Sequence, residues 1–88
     1  MQLPNHLSQT ARKLLCQHRW GVPAYLSWLR GPVKGPSDLA PIDAAYAELV
    51  AAGLLSAANM PINVLPGERR TPFTLTAAGN RLRHWVRP

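Results

Sequence analysis

Acidic residues are scarce in this chain of 88, which has four carboxylates, Asp38, Asp43, Glu48 and Glu68, against ten lysines and arginines. With three histidines and one cysteine, they are scattered without metal-ligand spacing, and no glycine-rich phosphate cradle is present. This composition predicts no catalytic residues, no metal site and no cofactor. Cys16 is the only cysteine, so an intramolecular disulfide and a cysteine-rich zinc site are both excluded. Beside Leu14 and Leu15 it reads as a small core residue. His18, two residues on, would point to a different helix face and could not orient it as a nucleophile. No apolar run reaches the length of a spanning helix. The first residues, Met1 to Asn5, carry no basic cluster, and Arg12-Lys13 interrupts the apolar stretch that a signal peptide would need. A cytoplasmic protein with no membrane partner is expected.

Folding a chain of this size buries only roughly 60 to 65% of its unfolded surface, so residues 1–88 are expected to form one domain with a small core. The charge is unevenly spread. Between Lys34 and Arg69 there is no lysine or arginine, yet all four acids lie in that interval. The net charge of +6 and a pI near 10.8 point to a polyanionic partner.

Along the chain, Leu7, Ala11, Leu14, Leu15 and His18 recur at helical spacing. They predict a first helix from about Ser8 to Arg19, capped by Asn5 or Ser8 and stopped by Gly21. Pro23 suits the first turn of a second, short helix carrying Tyr25, Leu26, Trp28 and Leu29 and ended by Gly31-Pro32. Trp20 and Trp28 read as core anchors. The following loop is long for a tight helix-turn-helix, so either the turn is expanded or Ser37 to Ala40 adds a helical turn. Pro41 opens a third helix whose Ile42, Ala45, Tyr46, Leu49 and Val50 face inward, stopped by Gly53. Leu54 to Ala58 predicts a strand paired with Thr71 to Leu75. Asn59 to Arg70 forms the hairpin tip, with Pro66-Gly67 as a turn. Thr76 caps a last helix with Ala78, Leu82, Trp85 and Val86 inward. His6 and His84 fall on the surface.

The series of a helix, Ala52-Gly53-Leu54-Leu55, a strand, a loop with Arg69-Arg70 and Phe73-Thr74-Leu75-Thr76-Ala77-Ala78-Gly79 resembles the winged helix-turn-helix of the MarR and PadR transcriptional regulators. The likeness covers about residues 42–86. It implies a mainly α fold with a small β-hairpin: about three helices, a two-stranded wing and a C-terminal helix. It also implies a transcriptional regulator or accessory factor that binds double-stranded DNA. Pro41 to Ala52 then corresponds to the recognition helix and Asn59 to Arg70 to the wing.

The DNA-contacting candidates are Lys34 and Ser37 before that helix, Asp43 in its first turn, and Arg69 and Arg70 on the wing. Ala40, Pro41 and Ala44 depart from the polar set such a helix presents to bases, so phosphate contacts from the wing and the basic flanks are expected to dominate. Asp43 also suits the positive end of its helix. Arg81, Arg83 and Arg87 spread around the last helix as a solvated face. The alternative is a protein-interaction module, or a homodimer, using Ala44, Ala47, Glu48 and Ala51 on the alanine-rich acidic face of the third helix.

Overall fold

The computed structural model describes residues 7–26 and 35–85. Three helices, α1 (Gln9–Gln17), α2 (Ala40–Ala51) and α3 (Ala77–Leu82), accompany four short strands, β1 (Leu55–Ala57), β2 (Ile62–Leu65), β3 (Glu68–Arg70) and β4 (Phe73–Leu75). The chain is a small α+β domain.

Ser8 caps α1, its Oγ accepting from the Ala11 amide at 3.1 Å, and Ala11, Leu14 and Leu15 are buried beneath it. The helix stops at Gln17, two residues before the expected end, because His18 turns to extended backbone. The described part of the predicted second helix is not helical. Ala24 instead exchanges both backbone hydrogen bonds with Phe73, at 3.0 and 2.9 Å. Long-range pairing has overridden the local preference of Pro23 for a helix start. Trp28, Leu29 and Gly31-Pro32 lie outside the described residues, as does Lys34.

A single 3-10 turn, Pro36–Leu39, leads into α2, which decides between the two readings of that loop in favour of an added turn. Ile42, Ala45, Tyr46 and Leu49 of α2 are buried as the spacing predicts. Val50 is not inward: it is 41% exposed. Gly53, at φ +75°, ends the helix with its amide on Val50 O and the Leu54 amide on Leu49 O, both at 3.0 Å. This is the left-handed glycine cap that satisfies the last carbonyls of a helix.

β1 and β4 are antiparallel in the register Leu55 to Leu75 and Ala57 to Phe73. Ala24 therefore lies along one edge of β4 and β1 along the other. The expected hairpin tip contains a second antiparallel pair, β2 with β3, turned at Pro66-Gly67 and irregular between Asn63 and Leu65. Thr76 Oγ accepts from the Gly79 amide at 3.0 Å and donates to Gly53 O at 2.7 Å, joining the start of α3 to the end of α2. Leu82 reaches the core, but Trp85 lies beyond this six-residue helix and is 70% exposed; Val86 is outside the described residues. Trp20 is 55% exposed rather than a core anchor, since α1 has already ended. Cys16 is half-buried and packs against the core, where burial pushes its thiol pKa up. Among the described residues no helix is long and apolar enough to cross a membrane.

Candidate nucleic-acid interface

α2 and the β2–β3 hairpin bring most of the sequence-predicted residues to one region. Ser37 is exposed on the 3-10 turn, and Ala40, Pro41 and Ala44 are exposed along the first turns of α2. None of the three α2 residues offers a side-chain hydrogen bond. Asp43 is the polar group among them, and it is occupied.

Its Oδ1 accepts a hydrogen bond from the Tyr25 hydroxyl, and Arg70 Nε donates to Oδ2 at 3.1 Å and to Oδ1 at 3.3 Å. Arg70 Nη1 donates to Glu68 Oε2 and to the Arg69 carbonyl, each at 3.0 Å. Strand alternation explains the division of labour. Glu68 and Arg70 lie on one face of β3, half-buried toward α2, while Arg69 is exposed on the other, opposite Asn63. The hydrogen bond to Glu68, and then the Asp43 charge, raise the Arg70 pKa above its ordinary value. Burial, and then Asp43, push the Tyr25 phenol up. The two hairpin arginines therefore differ: Arg70 fastens the hairpin to α2, and the exposed Arg69 side chain has no ion-pair partner among the described residues.

Both ion pairs found among the described residues belong to Arg70. Lys13, Arg19, Arg69 and Arg81 are exposed cations that form no ion pair among the described residues. Arg83 is not simply solvated, for its Nη1 donates to His18 O at 2.8 Å and so caps the C-terminal end of α1. His84 is exposed, as expected, while His6 and Arg87 lie outside the described residues.

On the alternative surface, Ala44, Ala47 and Ala51 are exposed. Glu48 is not available to a partner in the same way. Its carboxylate accepts from the Ser8 amide at 2.9 Å and the Ser8 hydroxyl at 2.8 Å, closing the N-terminus of α1. The face is alanine-rich, but its acid is used internally.

Sequence spacing also passed over the groups beneath this surface. Tyr46 is buried between Tyr25 and Phe73, with ring centroids at 5.0 and 4.3 Å in stacked geometry. Its hydroxyl accepts from the Leu26 amide at 2.8 Å and meets His18 Nε2 at 3.3 Å. Burial pushes the Tyr46 phenol pKa up. His18 is itself buried, with Nδ1 at 2.7 Å from Leu14 O and Nε2 at 3.2 Å from Ala24 O, so both ring nitrogens are engaged. A signal for this existed: an inward-facing tyrosine requires a buried polar partner. The partner's identity was not readable locally.

A cavity of about 360 Å³ opens between α2 and the hairpin. Ala47, Val50 and Tyr46 form its helix side, Phe73 and Thr71 its strand side, and Tyr25, Asp43 and Arg70 its polar rim. Among the described residues no group of three or more histidine, cysteine or acidic side chains could hold a metal ion. No protein-family model, curated protein or solved structure matches the chain.

Proposed function

We propose that the chain is a winged-helix protein that binds duplex DNA, as a transcriptional regulator or accessory factor, chiefly through phosphate contacts. The order of elements supports the fold reading: α1, an extended segment at Ala24, α2, then strands that return beside it, with β4 between Ala24 and β1. α2 takes the place of the recognition helix and the β2–β3 hairpin that of the wing. The observation that carries the function is the pairing of the acids at the hairpin with Arg70, which offsets part of their charge. That side chain engages both Asp43 and Glu68, so the acids closest to the hairpin do not oppose a polyanion as isolated charges, and Arg69 stands exposed next to them. Base readout by α2 is limited, because its exposed first-turn side chains are alanine and proline. Lys34 and Ser37 would add contacts ahead of α2.

Fluorescence anisotropy with a labelled random duplex tests this. Binding should weaken steeply from about 50 to about 200 mM salt, and Arg69→Ala should lower affinity and make the slope of log K against log salt shallower by about 0.9. Absence of binding at low salt overturns the reading.

A second reading is favoured by the joint exposure of Ala44, Ala47, Val50 and Ala51: a protein-docking or homodimer surface on α2. Small exposed side chains permit close helix approach. Light scattering separates the two, since Ala47→Arg, bulky and of the sign that does not oppose phosphates, should abolish association under this reading and not weaken duplex binding under the first.

A further inference from the structure

We propose that the cavity between α2 and the hairpin binds a flat, uncharged ring carrying an amide-type edge, a hydrogen-bond donor beside an acceptor. The walls are apolar where a ring would lie. The row of stacked rings runs from Tyr25 through Tyr46 to Phe73, and Phe73 lines the cavity together with Ala47 and Val50. About 360 Å³ is in the range of small-molecule sites.

The polar rim defines the edge of the ligand. A guanidinium carries its Nε–H and one Nη2–H parallel on one side of the fork. In Arg70, Nε–H is given to both oxygens of Asp43 and Nη1 to Glu68 and the Arg69 carbonyl, while Nη2 has no partner among the described residues. An unused donor therefore stands next to a carboxylate. Among the described residues Asp43 accepts only from Tyr25 and Arg70, and its side chain is 40% exposed, so it retains lone pairs for another donor. A lactam or amide presents its C=O to Nη2–H and its N–H to the carboxylate side by side. A ring carboxylate would face Asp43 and Glu68, and a protonated ring nitrogen has no lone pair to accept from Nη2–H, so the neutral ring with a donor beside an acceptor is the one the rim accommodates.

This chemistry is offered by a free lactam and equally by an unstacked thymine or guanine base. The site does not depend on duplex binding for its existence, so the failure of one reading is distinguishable from the failure of the other. The test titrates the full chain with carbostyril, a bicyclic lactam, followed by backbone amide NMR, with naphthalene and quinaldate as apolar and anionic controls. Carbostyril should saturate with Kd on the order of 1 mM or tighter and shift Ala47, Val50, Thr71 and Phe73, with neither control matching it. Val50→Trp and Ala47→Phe, each of which fills the cavity, should abolish the shifts, and the same spectra report whether each variant is folded. In a second arm, a duplex with one extrahelical thymine is compared with its fully paired parent. Tighter binding of the bulged duplex by at least about tenfold, lost in Val50→Trp, assigns the base as ligand; saturation by carbostyril without that preference assigns a free ring compound. Equal shifts from naphthalene, or no response in either arm, overturn the proposal.

Discussion

Gly79 lies in the second half of α3's first turn, where alanine would ordinarily be the better helix former by about 1 kcal/mol. The fold reverses that preference. A Cβ at this position would stand 1.9 Å from the Leu54 carbonyl oxygen, a backbone atom that cannot swing aside, since it accepts from the Thr76 amide. Gly79→Ala should therefore lower stability by about 2 to 3 kcal/mol in urea unfolding, the cost of overpacking outweighing the gain in propensity. The two tyrosines of the chain, Tyr25 and Tyr46, give a second residue-level expectation. Burial raises both phenol pKa values in the folded protein, and Asp43 adds to the effect. Below about pH 10, the ordinary phenol value, folded and unfolded chains alike carry the neutral phenol and stability is whole. As pH rises further the unfolded chain ionises first, so stability falls toward the higher folded values. Phenolate absorbance should accordingly appear in one cooperative step that coincides with loss of far-ultraviolet circular dichroism. Gradual ionisation of a chain that stays folded would contradict the burial of these rings.

Among the elements, α1 shows how a short helix is held from outside itself. Ser8 caps the Ala11 amide, and Glu48 of α2 in turn fixes the Ser8 amide and hydroxyl, so the cap is a relay between two helices. Ser8→Ala should cost about 1 kcal/mol. Glu48→Ala should cost a similar amount, with the double variant less destabilised than the sum, because both changes dismantle one network. Thermal unfolding of the four chains measures that coupling; strict additivity would mean that Glu48 contributes nothing through Ser8. The hairpin follows the same pattern. Its strands are three and four residues long, and Arg70 anchors it to α2 through Asp43. The extended segment at Ala24 belongs here too. Proline 23 and the apolar residues after it carry a plausible helix pattern, yet the open edge of β4 offered two backbone hydrogen bonds, and the described residues took the extended form.

Over the domain as a whole, the charged groups divide into acids held by contacts within the fold and exposed cations that lack an ion-pair partner among the described residues. Asp43, Glu48 and Glu68 are each engaged within the fold, whereas Lys13, Arg19, Arg69 and Arg81 are exposed without an ion pair among the described residues. Should duplex DNA bind as proposed, the salt slope should fall between about −1 and −4.5, the limits set by one and by five phosphates neutralised among these cations and Lys34. Much of the architecture was legible beforehand because its causes are local. Period 3.6 fixed the buried face of α2, Ser8 and Thr76 marked helix starts, and Gly53 and Pro66-Gly67 marked a stop and a turn. The candidate site was legible only in part: the residues were named, but not their pairings. Arg69 and Arg70 are neighbours of identical chemistry, and strand alternation against α2 made one a tether and the other an exposed charge. Trp20 and Trp85 are apolar by composition, yet both fall just past helix ends and face solvent. Local propensity, capping and periodicity act over a few residues, so the chain carries them openly. Asp43 with Arg70, Ser8 with Glu48, Ala24 with Phe73 and His18 with Tyr46 meet only when distant segments pack, and that packing alone decides which polar groups remain free to bind.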